Sequence, residues 1–473
     1  MSKKIKYFFW IVLILCSVYN IFLPLHPDEA YYWVWSKHLQ LSYFDHPPMV
    51  AYLISIFTFF SNNEFFVRLG TVISMGVTGI IIFKLSKKIF SGKVAEKALI
   101  IFLLLPLTQA GFIVMTPDSP LILFWGVTLY SAYIYIFEEK SKYAYLTGLF
   151  GGLLLVSKYT GVLLLVSIFL FLIFSKYKKL FLKKEIYIAI LIAILVFSGV
   201  IYWNYINDWV SFKFQFSHGV SEKKVLKLNS FFEFLGGQIG IFNPIFFIGL
   251  IYYLTKDYMK NIKDNKFKYL FITFVFTLLF FLYNSLFKKA EANWAAPAYI
   301  AGTILIAYFI EINNKRKLYI SGIILSFIFI VILRFPEILP LPKRAVLKNK
   351  FYGYNKLFKP VKKYLNKDML LFGDSYQNSS EAGYYLDKVD GLYSLPDSRY
   401  SMYNIWLKND KKNGKLDNKK SIIIIENNDL KRLKKYFNNL KLLEEINYKD
   451  KYVNRRYYVY EGKYYSEKKE TIK

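Results

Sequence analysis

The stretch LPLHPDEAYYWVWSKHLQLSYFDHPPM, Leu23 to Met49, follows directly on an apolar segment that begins at Tyr7. It sets Asp28, Glu29, Asp45 and His46 beside two tryptophans and two adjacent prolines. The chain around it has 473 residues, 55% of them hydrophobic and 20% aromatic, with a mean hydropathy of +0.28. Apolar runs of about 17–22 residues recur along it, each long enough to cross a bilayer. That composition excludes an ordinary soluble enzyme and predicts a polytopic membrane protein. The question is therefore why acids and a histidine stand at the edge of a membrane.

The opening run has no small-residue cleavage site and reads as a retained helix, not a signal peptide. Cys16 is the only cysteine, so an intrachain disulfide and a cysteine-based zinc site are both excluded. The net charge of +30 invites a nucleic-acid reading. The lysines, however, cluster in short loops between apolar runs, and no basic stripe or binding motif accompanies them. No nucleic-acid partner is expected.

About eleven spans are expected, near 5–24, 66–86, 96–114, 119–137, 143–156, 161–175, 186–204, 234–254, 269–286, 295–311 and 318–335. Lys3, Lys4 and Lys6 orient the N-terminus to the cytoplasm. The loops at 84–97, 140–142, 176–184, 256–268 and 315–317 carry the other lysine clusters and fall on the same side. Reading 143–175 as two helices, with the turn SKYTG (157–161) at the outer face, is what keeps 176–184 inside. An odd span count puts the tail outside. The chain then divides into a transmembrane domain, 1–335, and a small extracytoplasmic α/β domain, 336–473, behind a linker at Pro336, Pro340 and Pro342. In the tail, MLLFGDS and SIIIIE read as short buried strands and NDLKRLKKYFNNL as an amphipathic helix.

Sorted by this topology, HPDEAYYWVW (26–35), YFDHPPM (43–49), TPDSP (116–120), SKYTG (157–161) and FKKAEANWAAP (287–297) all lie at the outer edge. Ionisable groups near a bilayer are costly and usually face a cavity or a water-filled site. Each motif also has a plainer reading. Proline followed by aspartate is ordinary helix-start chemistry, Trp33 and Trp35 read as interfacial anchors, and Lys158 suits snorkelling to headgroups. The plain readings require all five loops to be idle together.

No P-loop, Gly-x-Ser-x-Gly, His-Glu-x-x-His or dinucleotide fingerprint occurs. An enzyme facing away from cytosolic nucleotides needs its donor on a lipid. A lipid-phosphate sugar needs a cation for the departing phosphate, a carboxylate for the acceptor proton and an apolar groove for the chain.

DEAYYWVWSKHLQLSYFDHPPMVAYLI, TPDSPLILFW, SKYTGVLLL and KKAEANWAAPAY together resemble the bacterial glycosyltransferase families 39 and 83, relatives of protein O-mannosyltransferases and lipid A aminoarabinose transferases. GDSYQNSSEAGYYL and DSRYSMYNIW extend the resemblance into the tail. It implies a GT-C fold, an undecaprenyl-phosphate-linked sugar as donor, a lipid A, other glycan, phospholipid or protein acceptor, and inversion at the anomeric carbon. It places Asp28 as base or acceptor-orienting acid with Glu29 beside it, and Asp118 as the second acidic position. Lys158 and Lys289 become donor-phosphate ligands. His46, the third donor-phosphate candidate, stands where related sequences tend to carry lysine. Tyr31, Asp45, Glu291 and Asn293 are the remaining substrate-binding candidates, and the tail residues Tyr376, Gln377, Glu381, Arg399 and Tyr400 are left outside catalysis. Metal use stays open: Asp28, Glu29 and Asp45 suit magnesium or manganese, and Asp45 with His46 suits zinc. The alternatives from other classes are a flippase for lipid-linked sugars and a membrane scaffold.

Overall fold

A computed structural model describes residues 1–219, 225–256, 258–340 and 346–464; the linker residue Pro342 lies outside them. The chain forms two units. The first comprises 1–21, 41–53 and 68–335; the second comprises 22–40, 54–67 and 336–473. The segments flanking residues 41–53 thus group with the tail, which a single cut at 335 does not capture.

The chain is mostly helical. Among the described residues six helices are long and apolar enough to span a membrane: Lys3–Ile21, Glu64–Ile89, Asp118–Glu138, Lys184–Ile206, Asn265–Ser285 and Arg316–Arg334. Two bent pairs raise the number to eight if each is one span: Tyr159–Ile173 with Lys176–Leu182, and Leu228–Ile241 with Pro244–Lys256. Other expected spans are shorter or broken. The run at 96–114 divides into Gly92–Leu104 and Pro106–Gly111, because a residue before proline is pushed out of the helical region and Leu105 sits at ψ 138°. The run at 234–254, expected as one helix, bends by 105°. There Asn243 adopts φ 75°, its side-chain oxygen accepts from Ile245 N–H at 2.9 Å, and Pro244 has no N–H to continue the ladder.

Within the first unit Ser141–Ser157 and Lys184–Ile206 approach closely along Gly148 and Gly152. A Cβ on Gly148 would collide with the Ala189 backbone, and one on Gly152 would meet Val196 Cβ at 2.6 Å. Small residues four apart let helix backbones pack where lipid supplies no hydrophobic drive. Two of the buried polar side chains reach partners on other segments. The Arg334 guanidinium donates to Gln109 Oε1 at 2.8 Å and lies over the Tyr19 ring, and Asn20 donates to Phe112 O at 2.7 Å.

The second unit is built on a five-stranded sheet in the order β2-β1-β3-β5-β4. The strands are β1 Leu370–Gly373, β2 Leu392–Ser394, β3 Lys420–Ile425, β4 Phe437–Lys449 and β5 Asn454–Tyr464. β1 runs parallel to β2 and β3, and β5 runs antiparallel to β3 and β4. β1 is buried throughout, and β3 everywhere but its first residue, as continuous apolar runs in a covered parallel sheet should be. Helices Tyr376–Leu386 and Met402–Lys412 make the two crossovers.

Two expectations need correction here. NDLKRLKKYFNNL is helical only over Leu430–Leu433 and enters β4 at Phe437. Leu433, Tyr436 and Phe437 are spaced as on a helix face, but Phe437 pairs with Tyr464 across the hairpin and packs on Phe372 at 5.1 Å between ring centroids. Tertiary pairing overrides the local period. Trp33 and Trp35 are not interfacial anchors, being 1% and 0% exposed. They lie on helix Pro27–Lys37 within the second unit, where Trp33 meets Tyr384 edge to face.

Candidate active site

In the first unit three of the polar loop motifs meet. Asp118 opens helix Asp118–Glu138, its N–H held by Thr116 Oγ1 at 3.3 Å. Lys158 is an extended residue, φ −161°, between Ser141–Ser157 and a 3-10 turn at Tyr159–Gly161. Asn293 lies in a second 3-10 turn, Ala292–Ala295. The Lys158 ammonium donates to Asp118 Oδ1 at 2.6 Å, and the Asn293 amide donates to Asp118 Oδ2 at 2.8 Å. Lys158 and Asp118 side chains are only 11% and 17% exposed. An ion pair this sheltered is weakly screened and strongly directional. Lys158 is kept in place by its neighbour Tyr159, whose hydroxyl bonds Ser211 at 2.8 Å and accepts from Asn204 at 3.4 Å.

Asp45 and His46 form a turn in the same unit, closed by Tyr43 N–H to His46 O at 3.2 Å. Asp45 is buried, and its carbonyl accepts the Gln215 amide at 2.5 Å. Lys289 and Glu291 pair with each other at 3.4 Å, 70% and 58% exposed. That geometry is a solvated surface pair, worth little energetically.

In the second unit Asp28 sits in the first turn of helix Pro27–Lys37. Its Oδ1 accepts from the Tyr376 hydroxyl and from the Gln377 amide, both at 3.1 Å. His26 Nδ1 lies 3.8 Å from Oδ2, and the carboxylate is 35% exposed. Tyr376 and Gln377 open the helix that follows β1, with Ser375 as its cap. Residues just beyond the carboxyl ends of parallel strands are where α/β sheets place functional groups. The Arg399 guanidinium lies over the Tyr376 ring, 5.0 Å from its centroid.

Two predicted residues have structural duties. Glu29 is fully buried and accepts His26 N–H at 2.8 Å, completing a capping box at the start of its helix. Tyr31 is 2% exposed. It packs among Trp35, Tyr376 and Tyr403, and its hydroxyl accepts Met402 N–H at 2.8 Å. A core tyrosine of this kind has no face for substrate. Conversely, Tyr376 and Gln377 touch the Asp28 carboxylate although sequence reasoning set them aside. The available signal was the strand–cap–helix pattern of LLFGDSYQ. Among the described residues no three His, Cys, Asp or Glu side chains gather as a metal ion requires, so no step is assigned to one.

Residues 45–203 match the family model described as dolichyl-phosphate-mannose-protein mannosyltransferase. The fold is that of ArnT from Cupriavidus metallidurans bound to undecaprenyl phosphate, with a TM-score of 0.72 at 14% identity over 97% of this chain and 98% of that one. The archaeal oligosaccharyltransferase AglB from Archaeoglobus fulgidus, in complex with an inhibitory peptide and a dolichol-phosphate, shares it more distantly. Its TM-score is 0.51 at 11% identity, over 90% of this chain and 70% of that one. The chain is a multi-pass membrane glycosyltransferase with a GT-C-type fold. Among curated proteins it is similar to the lipid A galacturonosyltransferase RgtD of Rhizobium johnstonii, 26% identical over 333 residues, 69% of this chain and 70% of that one.

Proposed function

We propose that this glycosyltransferase takes a sugar from a polyprenyl-phosphate donor and transfers it, with inversion, to lipid A, another glycan or a protein at the outer face of the cytoplasmic membrane. The observation that carries the reading is the sheltered Asp118–Lys158 ion pair, to which the exposed Asn293 amide donates, assembled from three polar loop motifs. Lys158 neutralises the departing phosphate. Asp118, with both oxygens engaged, orients Lys158 and does not take a proton. Asp28, partly exposed and held by neutral donors, is the acceptor-side carboxylate. The acceptor oxygen attacks the anomeric carbon, the bond to the phosphate oxygen breaks with its electron pair leaving on phosphate, and the acceptor proton passes to Asp28. An acceptor that is already an ionised phosphate needs Asp28 only for positioning. Asp45 and His46 are assigned to the donor, whereas Glu29 is assigned to capping.

An apolar cavity of about 550 Å³ in the first unit suits the polyprenyl chain. Its walls include Tyr135, Leu155, Leu165, Phe169 and Ile194, and Leu155 precedes Lys158 by one helical turn. Eleven spans, a cytoplasmic N-terminus and an extracytoplasmic second unit are supported by the one-sided lysine loops; the shorter helices supply the additional crossings.

The test presents purified protein with labelled undecaprenyl-phosphate sugars and an envelope extract, and follows undecaprenyl phosphate by mass spectrometry. Acceptor-dependent release by wild type, lost in Asp28→Asn and in Asp118→Asn, supports the assignment. Movement of the labelled lipid across vesicles without any release would overturn it.

A further inference from the structure

The second unit holds a polar cavity of about 400 Å³, a volume typical of small-molecule sites. Its floor is Met369 and Leu370 at the start of β1 with Gly391 and Leu392 at the start of β2. Tyr376 and Gln377 follow the opposite end of β1, so this cavity is separate from the Asp28 contacts. One wall is the partly exposed indole of Trp406, 5.2 Å from the His38 ring. One helical turn beyond Trp406, Asp410 accepts the Tyr393 hydroxyl at 2.9 Å and pairs with Lys415 at 2.8 Å. Lys388 donates to Lys367 O at 2.6 Å, and exposed Asp390 stands two residues on.

Donors and acceptors therefore alternate around one aromatic face. An apolar ligand would strand Lys388 and Asp390. Four lysines and three aspartates share the lining, so a bare phosphate would meet Asp368, Asp390 and Asp410 as well as the lysines, whereas a ligand with both donors and acceptors satisfies both sets. A sugar hydroxyl both donates and accepts, and the apolar face of a pyranose ring suits an indole. Burial holds the His38 imidazole below its usual range against the pull of Asp390, which favours the neutral ring with one donor and one acceptor. The geometry points to a saccharide-binding site in this cavity, one that holds the glycan part of the acceptor apart from the Asp28 contacts. The acceptor role rests on the transferase reading; the binding itself does not.

The test is titration calorimetry of the full chain in nanodiscs with trigalacturonate, which the lysines on the rim would favour, and with neutral maltotriose. At least one probe is expected to bind. Trp406→Ala and, at an exposed position that leaves packing intact, Asp390→Asn are each expected to weaken that binding roughly tenfold or more. Asp28→Asn is expected to bind as wild type does. Absence of binding by both probes in wild type overturns the site, as does binding that neither Trp406→Ala nor Asp390→Asn weakens. Undecaprenyl phosphate release, measured on the same wild-type sample, separates the two ideas. Turnover without saccharide binding removes this site alone, and saccharide binding without turnover with any donor removes the transferase reading alone.

Discussion

Lys158→Gln is the sharpest perturbation of the proposed chemistry. It keeps a hydrogen-bond donor, on a side chain one bond shorter, but removes the charge. In wild type the ammonium lies 2.6 Å from Asp118 Oδ1, and its side chain is 11% exposed. A preorganised donor aimed at developing charge in such a site is worth about 2.7–4 kcal/mol in the transition state, or ~10²–10³ in kcat. Breaking a fully buried pair costs roughly 3–5 kcal/mol in stability. Here both partners keep some exposure and Asn293 still donates to Asp118, so the stability loss should fall below that range. The two effects are separable by following undecaprenyl phosphate release on protein whose thermal melt is recorded in parallel. The expected result is a fall in kcat of about 10²–10³ with a folded, modestly destabilised protein, partly recovered in Lys158→Arg. A folded Lys158→Gln enzyme within about threefold of wild type would refute the reasoning, because a lost charge on the leaving phosphate cannot be that cheap.

Three further outcomes are expected. Tyr376→Phe and Gln377→Leu each remove one hydrogen bond to the Asp28 carboxylate, worth about 1.5–3 kcal/mol, so each should slow turnover roughly 10- to 100-fold while the melting temperature moves little; equal turnover in both would detach Asp28 from the chemistry. Gly148→Leu places a side chain against the Ala189 backbone and should cost over about 3 kcal/mol by overpacking, read as lost folded yield in detergent, with Leu149→Ala as the tolerated control. Burial alone would raise the Glu337 carboxyl, but the Tyr452 hydroxyl and the Lys348 ammonium outweigh it and hold it down to about 2. A depressed carboxyl stabilises the fold fully above its ordinary value of 4.5 and loses that contribution as pH falls toward about 2, so Glu337→Gln should flatten the melting temperature across that window and leave it steeper nowhere.

Much of this protein is legible from composition and spacing. Apolar runs of membrane length announce a membrane protein because the bilayer imposes that length on any helix that crosses it. The isolated acids and lysines of TPDSP and SKYTG stand out because charge is rare beside such runs, and Asp118 and Lys158 do pair. The strands at MLLFGDS and SIIIIE read correctly because a covered parallel strand is continuously apolar.

What the tertiary structure alone decided concerns partners distant in sequence. HPDEAYYWVW reads locally as an aromatic lip at a membrane surface, yet its tryptophans, Tyr31 and Glu29 are interior groups of the second unit. Aromatic residues suit an interface and a protein core equally well, and only the packing of residues 22–40 with the tail separates the two. Tyr376 and Gln377 reach Asp28 across nearly 350 positions of chain. Asn293 reaches Asp118 across 175. Local pattern reports what a residue can do with water, lipid and its own helix; a hydrogen bond between remote segments exists only once the chain has folded, and the arrangement of the candidate catalytic groups consists of such bonds.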